Sequence, residues 1–298
     1  MRLSIITINY NGAERTIKLL KSLAEQTDKD FQTIVIDNAS EETDYFNLES
    51  ITKGIFAKMP FVMLIRNEKN LGFSGGNNIG IKKALDPPAG GGADWALLLN
   101  NDTLVEPGFI ASLKAKLSQS SGIVGIPLNE GDHTAYCGKI EWLKPTLEHV
   151  YKPVSLRADK LKDYYAIGGG MLIHRNVLGK IGFLDEKYFL YFEDADFSIR
   201  ARKADIPVSI IPDVMIHHNV SSTTKKLGSS LLLRYHYRNA LYFNFKNGPW
   251  FIKLAVWPWS WIIVLKQTFK VMIYHNREQS VAILKSVLDF YLNKMGGI

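Results

Sequence analysis

The chain is short of cysteine, of runs of like charge and of long apolar stretches, and each shortage narrows what it does. Cys137 is the only cysteine in 298 residues, so no intrachain disulfide can form and a reducing compartment follows as the simple inference. The formal net charge of +7 comes without a continuous Lys/Arg run, zinc-finger spacing or an aromatic RNA-binding motif. Excess positive charge of that kind points to a membrane surface or a phosphorylated substrate, and away from nucleic acid. The segment Met1 to Tyr10 is apolar but lacks the core length and cleavage site of a signal peptide, so it reads as a first strand. Where that strand ends, at Asn9 to Gly12, there is neither G-x-G-x-x-G nor G-x-x-x-x-G-K-[ST]. This argues against dinucleotide-binding dehydrogenases and P-loop NTPases.

What remains is an ordinary globular composition, 46% hydrophobic and 22% charged, enough for one large core or one core with a small appendage. Strand-like runs at Leu3–Ile8, Thr33–Asp37, Phe61–Arg66, Trp95–Leu99 and Gly122–Pro127 alternate with amphipathic segments. Ile17, Leu20, Leu23 and Ala24 have helical spacing, as do Ile110, Leu113 and Leu117. That alternation is the βαβ pattern of a doubly wound, mostly parallel α/β sheet. Residues 86–92 read as a loop by composition, Val208–Ile211 as a further strand, and the alternation fades over residues 128–165.

In open α/β sheets ligands gather at the carboxyl ends of strands, and polar residues stand at those ends here. Trp95–Leu99 runs into Asn100, Asn101 and Asp102. A carboxylate there suits a hard cation shared with substrate phosphates, or equally a turn in which Asp102 caps the helix opened by Pro107. Asp37 ends the second strand, placed to accept from a base N–H or ribose hydroxyl or to close an Asx-turn. The stretch Asn67–Asn78 is glycine-rich and precedes a helix whose free N–H groups would suit an anion. Glu193, Asp194 and Asp196 follow an aromatic run at the start of a helix, where caps and dipole partners belong, though three carboxylates exceed what capping needs. His217 and His218 precede a Ser/Thr/Lys loop.

Taken in order, Ile8–Gly12, Asp37–Ser40, Asn70–Phe73 and Asn100–Asp102 resemble family-2 glycosyltransferases of GT-A fold. Gly169–Met171, Gly182–Glu186, Phe192–Phe197, His218 with Ser221–Thr223, and Arg234–Asn239 are similar to the rhamnosyltransferase branch. The resemblance spans about residues 1–245 and is poorest over 128–165. It implies a GT-A catalytic domain over 1–224, with a nucleotide-binding half at 1–127 and an acceptor-binding half at 128–224. Residues 225–298 would form a C-terminal helical segment. It further implies that Thr7, Asn9, Tyr10, Asp37, Asn70, Gly72, Phe73, Asn101 and Asp102 bind the donor. Gly169, Gly170 and Glu193 would lie on the acceptor side, Arg238 at the diphosphate, and Asp194 would be the general base. Asp102 and His218 would hold a divalent metal, Mn²⁺ or Mg²⁺. The family's D-x-D motif reads Asn100-Asn101-Asp102 here, which leaves one carboxylate for the metal.

The implied function is an inverting transfer of a sugar to a saccharide or lipid-linked saccharide in cell-surface polysaccharide synthesis. dTDP-L-rhamnose is the favoured donor and a UDP-sugar the alternative. A sugar-phosphate nucleotidyltransferase would share the sheet but carry a glycine-rich, basic loop after the first strand. A membrane-binding scaffold protein would need neither Asp102 nor Asp194. Residues 250–265 hold four of the six tryptophans, and the longest charge-free run, Leu254–Leu265, is too short to span a bilayer and is interrupted by Pro258. With Lys253, Lys266 and Lys270 nearby, the region 250–275 reads as a membrane-interfacial helix. The competing reading is an appendage docked on the catalytic domain or on a second subunit in a homo-oligomer. The expected location is cytoplasmic, at the inner face of the cell membrane.

Overall fold

A computed structural model describes residues 1–55, 62–85, 92–117, 121–153, 162–218 and 230–298. Its centre is a seven-stranded sheet in the order β13-β6-β12-β4-β1-β2-β3. β1 (Leu3–Asn9), β2 (Phe31–Asp37), β3 (Val62–Arg66) and β4 (Trp95–Leu99) run parallel, with Leu3 opposite Phe31 and Trp95. β6 (Ile123–Gly125) and β13 (Val208–Ile210) are parallel to each other, and β12 (Gly170–His174) runs antiparallel between β6 and β4. Each expected strand is present within a residue or three of its expected ends, and Phe61 lies outside the described residues, as do 86–91 of the expected loop. The expected division at residue 127 does not divide the sheet, because β12 and β13 complete it from the later half. The boundary at 224 falls outside the described residues.

All five residues of β4 are buried, which is why its sequence is apolar without alternation. Helices cover both faces. α1 (Ala13–Ala24) buries Ile17, Leu20 and Leu23, and α4 (Phe109–Leu117) buries Ile110, Leu113 and Leu117, all in one cluster with Leu97 and Leu99. α3 (Gly72–Leu85) contributes Ile81 and Ala84 to the opposite cluster, beside Leu98 and Ile173. α2 (Glu42–Ile55) follows β2, and α5 (Arg175–Ile181) and α6 (Glu193–Lys203) follow β12.

A smaller four-stranded sheet, β5-β14-β7-β8, stands beside the carboxyl end of β4. It is made of β5 (Thr103–Leu104), β14 (Ile216–His218), β7 (Leu128–Asn129) and β8 (Thr134–Ala135). The antiparallel strands β10 (Glu148–Val150), β9 (Cys137–Lys139) and β11 (Tyr164–Tyr165) form a third sheet.

The C-terminal region is helical: α7 (Ser230–Asn247), α8 (Trp250–Met272) and α9 (Arg277–Tyr291). α7 belongs to the body, since Ala240 and Phe243 share a core cluster with Phe192 and Ala195 of the α6 entry. Arg234 of α7 pairs with the buried Asp289 of α9 at 2.6 Å. The last residues fold back: Gly296 N–H donates to the Lys187 carbonyl, and Ile298 N–H to the Tyr235 hydroxyl.

Candidate active site

Strand pairing, not sequence proximity, assembles the acid–imidazole pair. β14 lies antiparallel to β5, setting His218 opposite Thr103, and so brings its ring beside Asp102. His218 Nε2 is 3.3 Å from Asp102 Oδ1, with both side chains largely buried at 12% and 15% exposure. On its other edge β14 pairs with β7, setting His217 opposite Asn129. The next residue of that hairpin, Glu130, meets His218 Nδ1 through Oε1 at 3.4 Å. His217, one residue earlier on the strand, points the other way and pairs with Glu106 at 3.1 Å, as strand alternation requires. His218, and not His217, is therefore the imidazole beside Asp102. Asp102 does not cap α4, which begins seven residues later at Phe109.

Burial works against a charge on His218, but the hydrogen bonds and charges of Asp102 and Glu130 outweigh it and raise its pKa to about 9. The hydrogen bond from His218 in turn draws Glu130 below the usual carboxylate range. His133 Nε2 approaches Glu130 Oε2 at 3.2 Å and His149 Nδ1 approaches Oε1 at 4.0 Å, so three imidazoles surround one carboxylate. Among the described residues no group of three or more His, Cys, Asp or Glu is arranged to hold a metal ion. Asp102 and His218 Nε2 are close enough to share one cation whose other positions fall to substrate phosphates, the usual arrangement for Mg²⁺. The donor set fits on that condition, with His218 deprotonated on binding.

The second half of the site is the entrance to α6. Asp194 Oδ2 accepts from the Gly168 N–H at 3.0 Å, and Oδ1 accepts from the Ala195 N–H at 2.8 Å. Gly168 is wedged: a Cβ there would lie 3.0 Å from Phe73 Cζ and 3.5 Å from Asp194 Cβ. The turn that delivers Asp194 is strained, with Tyr191 and Phe192 both left-handed at φ 72° and 75°, a conformation rare for aromatic residues and typical of functional sites. Asn239 of α7 holds that turn through the Leu190 and Tyr191 carbonyls at 2.8 and 3.2 Å.

Three neighbouring carboxylates have three environments. Burial pushes Asp194 up to about 6, against the pull of the Gly168 and Ala195 amides. Glu193 is more deeply enclosed, raised well above the ordinary range by burial and then by the Asp194 charge, and its Oε2 has no partner among the described residues. Asp196 is fully buried and paired with Arg200 and Lys246, each at 2.7 Å, with Asn247 donating at 2.7 Å. Asp196 therefore fastens α6 to α7, a stronger duty than the helix-dipole role expected of it.

The expected donor residues divide. Tyr10 is exposed at the carboxyl end of β1. Thr7, by contrast, is buried inside the strand, and Asn9 and Asp37 are bonded to each other at 2.9 Å rather than facing outward. Asn9 also donates to Ser40 and Asp44 and accepts from Thr16, and Asp37 faces Arg66 at 3.6 Å. Asn9 and Asp37, expected along a nucleoside, thus spend their polar atoms inside the protein, tying β1, β2, α1 and α2 together, whereas the buried Thr7 hydroxyl has no partner among the described residues. Asn101 extends that network by donating to Thr16 at 3.0 Å. Asn70 Oδ1 accepts from the Gly72 N–H at 2.9 Å, and Gly72 is left-handed at φ 68° with Phe189 where a Cβ would be. Phe73 alone of that motif reaches the base side.

Arg238 is the plainest correction. Its guanidinium is fully buried and donates to Asn239, to the Lys294 carbonyl and to the Gly296 carbonyl at 3.1, 3.1 and 2.8 Å, so it anchors the C-terminal turn and not a diphosphate. Gly169 and Gly170 are packing glycines: a Cβ on either would press 2.8 Å from Asn100 or Ile216. Residues 221–223 of the late Ser/Thr motif lie outside the described residues. Glu130, the Gly168 amide and the Tyr191–Phe192 strain were not visible in the sequence. Only Gly131 beside Glu130 hinted at a hairpin.

The chain belongs to glycosyl transferase family 2, whose family model matches residues 4–182. It is 29% identical over 251 residues to a low-salt glycan biosynthesis hexosyltransferase of Haloferax volcanii, covering 80% of this chain and 73% of that one. It is 21% identical over 291 residues to the N-acetylglucosaminyl-diphospho-decaprenol L-rhamnosyltransferase of Mycobacterium tuberculosis, covering 90% and 92%. A dTDP-rhamnosyl transferase of Shigella flexneri is 24% identical, covering 74% and 70%. Among solved structures, S. aureus TarS 1–349 in complex with UDP-GlcNAc superposes with TM-score 0.60 at 15% identity, covering 97% and 80%. A mannosyltransferase from Pyrobaculum calidifontis in complex with GDP-Man and Mn²⁺ gives 0.57 at 13%, covering 98% and 88%. The fold is GT-A with C-terminal helices, and the protein is a glycosyltransferase.

Proposed function

We propose that the chain transfers L-rhamnose from dTDP-L-rhamnose, with inversion, to a hydroxyl of a saccharide acceptor in glycan synthesis. One observation carries this reading: the acid–imidazole pair and the carboxylate base meet across a single strand junction. Asn100 N–H, two residues before Asp102, donates to the Gly169 carbonyl at 3.2 Å, while Gly168 N–H holds Asp194. A leaving diphosphate on one side and an attacking hydroxyl on the other suit a single in-line displacement.

A divalent cation, Mn²⁺ or Mg²⁺, bound by Asp102 and His218 would stabilise the departing diphosphate as a Lewis acid. Glu130 holds His218 by Nδ1 and so aims Nε2 at Asp102. Asp194, raised to about 6 and fixed by two backbone amides, is ionised near neutrality and takes the acceptor proton as the oxygen attacks. Glu193 beside it is raised by burial and then by the Asp194 charge, which favours its neutral form, so the two carboxyls sit in different environments. Tyr10 faces the donor. The Phe73 ring lies against Gly168, next to the amide that holds Asp194. On the acceptor side Tyr191 stacks on His236 at 3.9 Å, and both nitrogens of the buried His236 lack partners among the described residues.

The rhamnosyl donor is supported by the names of the Mycobacterium and Shigella relatives. A UDP-sugar is the second reading: thymine and uracil present the same hydrogen-bonding edge, and TarS is a UDP-GlcNAc complex. The acceptor class is a lipid-linked saccharide at the inner face of the cell membrane, a reading supported by the decaprenol-linked substrate in the Mycobacterium relative's name. A thermal-shift screen with dTDP, UDP and GDP, with and without Mn²⁺ or Mg²⁺, tests the donor. Saturation at 100 times Kd stabilises by about 2.7 kcal/mol. A melting curve unmoved by every nucleotide with either metal sinks the reading.

A further inference from the structure

We propose that the outward face of α8 lies along an anionic lipid bilayer, making this helix the surface by which the enzyme meets its membrane. The inference deepens the lipid-linked acceptor reading, but the docking surface stands on its own geometry.

α8 is 23 residues long and apolar on both sides, yet only one side is covered. Ile252, Val256, Ser260, Ile263 and Gln267 are buried, and Val256 and Ile263 pack with Leu241 of α7 and Ile283 and Val287 of α9. On the opposite side Leu254, Trp257, Trp261, Leu265, Phe269 and Met272 recur every three or four residues, each between 56% and 71% exposed. Helical spacing of this kind makes one continuous stripe, not scattered exposed residues.

The occupant is chosen by charge and residue type. At about 100° per residue, Lys266 falls beyond one border of the stripe and Lys253 beyond the other, while Lys270 turns toward the covered side. An apolar face flanked by lysines, with tryptophans on it, is the pattern of a helix seated at the headgroup boundary. The chain's net charge of +7 adds long-range attraction to anionic lipid. No described helix is long and apolar enough to cross a membrane, so α8 lies on the surface instead of spanning it. A second copy would cover the apolar stripe equally well but leaves the flanking lysines facing one another. Docking also reaches the chemistry. Trp259, half-buried on the inner side of α8, packs against the cluster that contains Phe192 and Ala195, the two neighbours of the Glu193–Asp194 pair. One hydrophobic cluster therefore joins the inner side of α8 to the base-bearing turn.

The test uses the full-length protein and co-sedimentation with vesicles of phosphatidylglycerol and phosphatidylcholine, against phosphatidylcholine alone. Binding to the anionic vesicles is expected, with a blue-shifted tryptophan emission quenched by brominated lipid. Trp261→Gln with Leu265→Gln, both on the exposed stripe, should weaken binding at least tenfold while leaving the melting temperature and dTDP or UDP binding unchanged. If that variant folds poorly, Lys253→Glu with Lys266→Glu should abolish the preference for anionic lipid instead. Sedimentation equilibrium separates the other occupant. A wild type that ignores vesicles, or a dimer that the Trp261/Leu265 variant dissociates while vesicle binding is absent, overturns the proposal. Nucleotide binding preserved in either case leaves the donor reading standing.

Discussion

Asp194 receives the backbone N–H of Gly168 at 3.0 Å, a bond between a helix N-terminus and a strand entrance 26 residues apart. Because the donor is a backbone amide and not a side chain, only proline at position 168 would remove it. A side chain added there would press on the Phe73 ring while only touching Asp194 Cβ at ordinary contact distance.

Asp194→Asn keeps the shape and one acceptor oxygen but cannot take a proton. Transfer should fall by roughly 10²–10⁴-fold with donor affinity near wild type. Single-turnover assays beside nucleotide titration check this. Glu193→Gln should be milder, since burial and the Asp194 charge already favour the neutral form of that side chain. Normal turnover in Asp194→Asn would falsify the assignment of the base.

The pH profile carries a defined sign. A base must be ionised to act, and burial has lifted Asp194 to about 6. Activity should therefore lose about tenfold per pH unit below that value and level off above it. Residual activity in Asp194→Asn should not show this acid limb. An acid limb that persists unchanged in the variant assigns the titration to another group.

Much of this was legible beforehand, and the reason is local. The strand ends after β1, β2 and β4, the glycine-rich turn before α3 and the acidic entrance to α6 are contiguous stretches whose residue types report their own backbone. The direction of a buried side chain is not local. Asn9 and Asp37 looked like open ligands because nothing near them in sequence revealed that Thr16, Ser40 and Asp44 would satisfy them. Arg238 sits in a motif-like helix, but its partners are carbonyls 56 and 58 residues away. Glu130 belongs to a short hairpin that becomes meaningful only when β14 pairs beside it.

Asp102→Ala should remove metal-dependent nucleoside diphosphate binding without unfolding the chain, because Asp102 lies outside the hydrophobic core clusters and keeps some solvent contact beside His218. Titration calorimetry with dTDP or UDP and Mn²⁺ reads the effect. Unchanged affinity would reduce Asp102 to a turn residue. Removing everything after Asn247 is no substitute for point variants, since it strips α9 from Arg234 and the C-terminal turn from Arg238.

Asp196→Asn should cost stability and spare chemistry. The side chain is fully buried and opposes two cations, Arg200 and Lys246, so its loss leaves both without their shared partner. Breaking a buried pair costs about 3–5 kcal/mol. Both cations keep some solvent contact, which places the expected value toward the lower end. Urea denaturation measures it. A variant with wild-type stability and no activity would move Asp196 into the catalytic machinery.

Glu130 is the residue the sequence did not announce, and its expected role is to position His218. Imidazoles that bind metals commonly present one nitrogen while a carboxylate holds the other, and loss of that carboxylate lowers metal affinity by roughly 10–100-fold. Here Glu130 Oε1 meets Nδ1 at 3.4 Å while Nε2 faces Asp102 at 3.3 Å. Glu130→Gln keeps an acceptor oxygen on the same side chain and should be the milder change. Glu130→Leu removes it and should weaken Mn²⁺ binding, followed by the paramagnetic resonance of free Mn²⁺ in the presence of nucleoside diphosphate. Nucleotide affinity without metal should not move in either variant, which separates positioning from general damage to the fold. Equal losses with and without metal would show that Glu130 merely holds its hairpin, where His133 and His149 share its oxygens.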